Sequence, residues 1–213
     1  MGPPLFATHL ILASGNGLRG NLLITAVVLS AAWEACALLA AIAPNAKTSL
    51  AAHLFDVARM GAWFALLFSL TYAADPKRPI TRPGPLALLI CAALVAAAVL
   101  PIANGTNPVV DRQTIVALLV VSVLGLMLIE RLYRATPSGT RWHLKFLYLA
   151  IAADFPFDLC LFADGVMRGR LDPAWWSARG LDYALVIPLL SVVAARNKEW
   201  SIDIAVSRNI VFG

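Results

Sequence analysis

The sequence predicts an all-α membrane protein, a polytopic helical bundle of about seven transmembrane helices, and three observations lead to that prediction. Hydrophobic residues make up 60% of the 213-residue chain and charged residues only 14%, whereas soluble domains are about half apolar and about a quarter charged. Apolar segments of nearly bilayer-spanning length recur along the chain. Lysine and arginine concentrate in the short segments between them, which is typical of membrane topology and argues against nucleic-acid binding.

The first apolar segment, at 5–14, is about half as long as the roughly 20 residues that a helix needs to cross a bilayer. We interpret it as a first helix that is truncated at its N-terminus. Six longer apolar segments follow, at 21–43, 50–73, 85–102, 113–129, 142–163 and 174–195. Prolines, glycines and asparagines punctuate the connections, which predicts short loops and no soluble domain between spans.

Basic residues are unequally divided between the two sets of loops. One set, which includes the segments at 131–145 and 196–208, holds about twice as many lysines and arginines as the other. In this assignment Arg59 is the one basic residue inside a span. The excess predicts a cytoplasmic C-terminus and, with seven spans, an N-terminus outside.

A charged and aromatic cluster flanks the turn at 136–139 between two of these spans. Charged and aromatic residues on both sides of a short turn are typical of a membrane hairpin anchored at the cytoplasmic face. The predicted anchor consists of Glu130, Arg134, Arg141, Trp142 and Lys145.

Five ionisable side chains inside the predicted spans form the candidate site: Glu34, Asp56, Arg59, Asp154 and Asp158. Asp154 and Asp158 are four residues apart and share one helix face, and the spacing of Asp56 and Arg59 also allows a helical pair. With a rise of about 1.5 Å per residue, all five fall in the outer half of the membrane. Such residues are costly in a bilayer unless they face a protein interior or a wet cavity.

Two interpretations of these residues stay open. In the first, Arg59 neutralises Glu34 and Asp56, while the two later aspartates bond to neighbouring helices. In the second, the five residues line a pocket that is open to the outside and that binds an unknown small ligand or responds to protons. A small transporter or a proton-coupled membrane protein would use the same acidic groups as a path, and a purely structural subunit would not depend on them.

Catalytic and metal-binding motifs are missing from the sequence. There is no GxSxG, HExxH or glycine-rich phosphate loop, and the three cysteines lack metal-ligand spacing. We therefore expect no enzyme activity, no cofactor and no metal.

Several short runs in the second half of the chain carry a family resemblance. They are ERLYR at 130–134, RW at 141–142, KFL at 145–147, FDL at 157–159, FAD at 162–164, RLDP at 170–173, ARG at 178–180, AARN at 194–197, WSID at 200–203 and VSR at 206–208. This pattern resembles the membrane-embedded N-terminal region of the PrsK-type histidine kinases. These kinases are associated with exosortase/PEP-CTERM systems and exopolysaccharide regulation in Gram-negative bacteria.

The resemblance implies a signal-input domain of a two-component histidine kinase in the bacterial inner membrane. Residues 1–195 would be the seven-helix sensor domain, and 196–213 a cytoplasmic connector toward a kinase region that this sequence does not include, since it lacks a phosphoacceptor histidine motif and ATP-binding glycine boxes. The alternating pattern at 196–208 favours a short strand or connector. The resemblance also implies a homodimer and, in the full-length relative, a response regulator as partner; a small transporter is the alternative.

Overall fold

The computed structural model describes residues 18–74, 84–106, 111–136 and 138–196. These residues form six α-helices: α1 (Leu18–Ile42), α2 (Ala46–Ala74), α3 (Pro85–Asn104), α4 (Arg112–Ala135), α5 (Ser138–Arg168) and α6 (Pro173–Arg196). Each of the six longer apolar segments corresponds to one helix. The predicted first helix at 5–14 and almost all of the predicted connector at 196–213 lie outside the described residues.

Four of the six helices, α1 to α4, are long and apolar enough to cross a membrane. This composition supports a helical membrane protein. Helices α5 and α6 reach 31 and 24 residues, but both carry charged residues along their length. The structure therefore shows a helical bundle with at least four segments that fit a bilayer.

The helices pack mostly against their neighbours in sequence. α1 packs on α2, α3 on α4, α4 on α5 and α5 on α6, while α2 also packs against α3 and α4. Short connections join α1 to α2, α3 to α4 and α5 to α6 at one end of the bundle, which we call the α1–α2 end. The core between the helices is apolar and includes the fully buried Leu66, Leu67, Leu118 and Leu128.

Side-chain and glycine caps explain where several helices begin and end. The Asn45 side chain accepts hydrogen bonds from the backbone N–H groups of Lys47 and Thr48, both at 2.9 Å, at the start of α2. Gly105 ends α3 with a φ of 61°, a left-handed conformation that glycine adopts without a side-chain penalty. The Asp172 carboxylate accepts from the Ala174 N–H at 2.8 Å at the start of α6.

Helices α4 and α5 approach each other closely in the core. A side chain added at Gly125 of α4 would meet the ring of Phe155 on α5 at 2.2 Å, so the absence of a side chain there sets the spacing of this helix pair. The next residue, Pro156, lies inside α5. A proline inside a helix removes one backbone hydrogen bond and bends the helix, and here it stands between Asp154 and Asp158.

The turn between α4 and α5 is shorter than predicted. Helix α5 begins at Ser138, before the predicted start at 142. At the end of α4, the Thr136 N–H donates a hydrogen bond to Leu132 O at 3.0 Å. Only residue 137 lies between Thr136 and the start of α5. Within the predicted hairpin anchor, Glu130 and Arg134 form an exposed ion pair, and Lys145 is half-buried. The side chains of Arg141 and Trp142 lie outside the described part.

Asp111 caps α4 and gives the chain a pH-dependent contribution to stability. Its carboxylate accepts hydrogen bonds from the backbone N–H and the hydroxyl of Thr114. Burial would raise the pKa of Asp111, but the hydrogen bonds from Thr114, Asn104 and Thr106 together outweigh it and hold the pKa below its usual range. A carboxylate whose pKa is lower in the folded than in the unfolded state contributes its full stabilisation of the fold at pH values above the unfolded pKa. That contribution is lost as the pH falls through the folded pKa.

Asp111→Ala should therefore lower the free energy of unfolding by about 1 kcal/mol at neutral pH, since it removes the cap. The difference from wild type should shrink as the pH drops below the unfolded pKa of aspartate. Unfolding in mixed micelles at a series of pH values measures both effects. Asp111→Asn is the control, because an asparagine cap does not titrate. If the difference in free energy of unfolding between wild type and Asp111→Ala stayed the same in acid, this assignment would be contradicted.

Candidate functional site

A buried ionic cluster occupies the bundle interior on the side of the α1–α2 end. We use this name for Asp56 and Arg59 of α2, Asp154 and Asp158 of α5, and Arg179 of α6. Asp56 and Arg59 are 0% exposed, Asp158 and Arg179 1%, and Asp154 9%. Ionised groups are rarely buried to this extent unless they are paired.

Arg179 of α6 bridges a carboxylate of α2, Asp56, and a carboxylate of α5, Asp158. Its guanidinium donates to Asp56 from Nη1 at 2.7 Å and from Nη2 at 3.2 Å. It donates to Asp158 from Nε at 2.8 Å and from Nη2 at 2.9 Å. Both contacts are bidentate, a geometry that the planar arginine fork provides and lysine does not. Helices α2, α5 and α6 are thereby connected through one side chain.

Arg59 forms the second centre of positive charge. It donates to Asp56 Oδ1 from Nε at 3.2 Å and from Nη2 at 2.8 Å. Its Nη2 lies 3.7 Å from Asp158 Oδ2 and its Nη1 lies 3.6 Å from Asp154 Oδ1. The predicted pair of Asp56 and Arg59 is therefore present, and Arg59 also faces both aspartates of α5.

Aromatic rings enclose the two guanidiniums. The ring of Trp33 on α1 lies 4.6 Å from the Arg59 Cζ and 4.9 Å from the Arg179 Cζ. Arg179 also lies over Trp176 at 4.8 Å and over Phe162 at 5.5 Å. Contacts of a cation with an aromatic face are attractive at these distances, and more so where water is excluded. Trp33 therefore adds α1 to the helices that the cluster connects.

His53 extends this polar region toward α3. It is 3% exposed and lies one helical turn from Asp56 on the same helix. Its Nε2 is 2.8 Å from the backbone oxygen of Ala97 on α3. This hydrogen bond ties α2 to α3 next to the cluster.

The cluster contains three carboxylates and two guanidiniums. Removing one partner of a buried pair is strongly destabilising, because it leaves a charge without compensation in a medium that solvates it poorly. The excess of one carboxylate makes the two kinds of residue unequal. Neutralising one carboxylate leaves each guanidinium with another carboxylate partner, whereas neutralising an arginine leaves three carboxylates beside one guanidinium.

The structure brings four of the five predicted site residues together and leaves the fifth at the side. Glu34 is half-buried, and in the described part of the chain it forms no hydrogen bond or ion pair; Arg59 acts on it only at longer range. The effect of Arg59 on Glu34 is therefore electrostatic and involves no direct contact between the two described side chains. Asp182, which the sequence analysis did not single out, is half-buried beside the cluster and interacts electrostatically with Asp158.

Arg179 and Trp33 are the functional candidates that sequence reasoning missed. The sequence pattern predicts Arg59 as the one basic residue inside a span, but Arg179 also lies inside a helix, α6, and is buried. Its position six residues after Pro173 places it about 9 Å along the helix at 1.5 Å per residue. A short loop joins this helix to α5, which carries two aspartates. An arginine at that depth therefore indicates a pair with one of them, and this is the sequence signal for Arg179.

Among the described residues, the lining of the groove at the α1–α2 end includes none of the five predicted site residues. The groove measures about 570 Å³, and it is lined by Pro44, Asn45, Ala46, Ser49, Leu50, Pro101, Ile102, Gly105 and Thr106. The members of the ionic cluster are buried and contact one another. Within the described residues, no group of three histidine, cysteine or acidic side chains is placed to hold a metal ion.

Comparison of the chain with protein-family models, with curated proteins and with solved structures gives no match. The resemblance to PrsK-type kinases therefore stays a prediction from the residues that carry it.

Proposed function

We propose that this chain is the signal-input domain of a bacterial membrane histidine kinase. In this proposal it is embedded in the inner membrane as seven spans with a cytoplasmic C-terminus. The single observation that supports the proposal best is the ionic cluster, which connects α1 and α2 with α5 and α6 through Arg179, Asp56, Asp158 and Trp33. Helix α6 leads directly into the segment that would continue toward a kinase.

The cluster supplies the kind of element that a two-state sensor needs. Each guanidinium faces more than one carboxylate. A small shift of α6 relative to α2 therefore changes which carboxylate Arg179 binds, while Arg179 stays paired with at least one. A signal alters the balance between two such arrangements only if it interacts differently with each of them. Because the members of the cluster are buried, the signal acts on it through helix movement or a proton, and a bound ligand inside it is not part of this proposal.

Transport through the cluster is the weaker alternative. In the described part of the chain, the buried charged side chains lie between the α1–α2 end and the middle of the bundle, and their mutual contacts fill the space between them. A transporter would use polar groups that continue toward the other end. Flux of protons or small cations into vesicles that contain the purified chain would revive the alternative.

Asp158→Asn tests the proposed role of the cluster. The substitution leaves Arg179 its contacts with Asp56, so we expect the chain to insert and fold while the preference of Arg179 shifts toward Asp56. In the kinase encoded by the complete reading frame, the autophosphorylation rate without stimulus should change by about fivefold or more, which corresponds to about 1 kcal/mol in a two-state equilibrium. Phosphate incorporation into membranes measures it.

Asp164→Asn is the matched control, because Asp164 lies on the same helix and pairs with the half-exposed Arg168 at 2.9 Å. We expect that variant to keep the wild-type rate. A wild-type rate and a wild-type response in Asp158→Asn would reject the cluster as the switching element. A reading frame without a kinase region would reject the kinase assignment itself.

A further inference from the structure

A small cavity between α2, α5 and α6 lies beside the ionic cluster. Its walls are formed by Trp63 of α2, by Ala150, Ile151 and Asp154 of α5, and by Val186 of α6. The space open to the centre of a water molecule is about 10 Å³. A cavity of about this size holds a single water molecule, and it is far too small for an organic ligand.

One of the residues that line this cavity has a buried donor. The Trp63 side chain is 4% exposed, and its indole Nε1 has no hydrogen-bond partner within the described part of the chain. Buried N–H groups are almost always satisfied by protein or by ordered water, because leaving one without an acceptor is costly. An acceptor next to Trp63 is therefore expected.

A second lining residue has an acceptor. The Asp154 carboxylate lies 3.6 Å from Arg59 Nη1, which is longer than a direct hydrogen bond and is a separation at which waters often bridge polar groups. A carboxylate offers about four acceptor positions, so Asp154 can accept from a water in addition to its other contacts. The residues that line the cavity thus include one with a buried donor and one with an acceptor, around room for one molecule.

We propose that this cavity is a binding site for one water molecule, which accepts a hydrogen bond from the indole N–H of Trp63 and donates one to the carboxylate of Asp154. The water satisfies the buried indole and hydrates the one carboxylate of the cluster that lines the cavity. It also links Trp63 of α2 to Asp154 of α5, and the Trp63 indole forms no direct hydrogen bond within the described residues. This proposal does not rest on the signalling function.

The test uses the full chain, labelled with ¹⁵N and reconstituted in lipid nanodiscs. Proton–nitrogen spectra resolve the tryptophan indoles, and Trp63→Phe identifies the Trp63 signal by its loss. We expect magnetisation transfer from water to the Trp63 indole proton, at an intensity similar to that of Trp175, which is 46% exposed. Ala150→Val, which fills the cavity, should reduce this transfer to background while leaving the Trp175 signal unchanged.

Two results would overturn the proposal. The first is the absence of transfer from water at Trp63 in the wild-type chain, in a spectrum where Trp175 shows it; this result needs no variant and is independent of folding defects. The second is transfer at Trp63 that persists in Ala150→Val, because the water would then lie outside the cavity.

Discussion

Arg179→Met should be the most destabilising single substitution in the ionic cluster. Arg179 makes four hydrogen bonds to Asp56 and Asp158, and its loss leaves three buried carboxylates facing Arg59 alone. Removing one partner of a buried ion pair costs about 3–5 kcal/mol. We expect a loss of that size in the free energy of unfolding, measured by reversible unfolding in mixed detergent micelles, together with poor accumulation in membranes.

Three further variants separate charge from geometry. Arg179→Lys keeps the charge but cannot form two bidentate contacts, so it should recover only part of the loss. Asp158→Asn combined with Arg179→Met should cost less than the sum of the two single effects, because the residues are in contact. Arg168→Met, at an arginine whose side chain is 58% exposed, should cost at most about 1 kcal/mol. A loss at Arg179 no larger than at Arg168 would contradict the cluster as a stabilising element.

The helical fold was predictable from sequence because its cause is local. Long apolar segments fix the number and approximate position of the six described helices, and loop residues such as Asn45 and Asp111 mark two helix starts by capping. The start of α5 was misplaced because residues 138–141 continue the helix through a polar stretch, which apolar length alone does not reveal.

The candidate site was only partly predictable because its assembly is not local. The spacing of Asp56 with Arg59 is a property of one helix, and that pair was predicted. The contacts of Arg179 with Asp56 join residues 123 positions apart, and they depend on how α6 is rotated about its axis. An arginine near the end of a predicted span resembles a loop charge that sets topology, so the sequence does not reveal these contacts. One arginine, Arg59, is too few for the four predicted acidic residues of the site, and this imbalance indicates a further cation.

Trp33 is the least expected member of the site, since an aromatic residue in an apolar helix resembles ordinary core packing. Its ring lies against both guanidiniums, at 4.6 and 4.9 Å, so one aromatic side chain attracts both cations of the cluster. Desolvated contacts of this kind contribute about 2 kcal/mol each. Trp33→Leu keeps an apolar side chain of reduced volume, and we expect it to lower the free energy of unfolding by about 2–4 kcal/mol.

Trp33→Phe distinguishes stacking from filling of space. Phenylalanine retains an aromatic face and should recover part of the loss that leucine shows, because tryptophan is the strongest and phenylalanine a weaker partner for a cation. Trp175→Leu is the control for a tryptophan that is partly exposed and should change stability by less than about 1 kcal/mol. Equal losses in Trp33→Phe and Trp33→Leu would contradict a contribution from the aromatic face, because phenylalanine keeps a ring and is also the larger of the two replacements. A graded series would instead make α1 an energetic part of the cluster, so that movement of α1 and of α6 would be coupled through one ring.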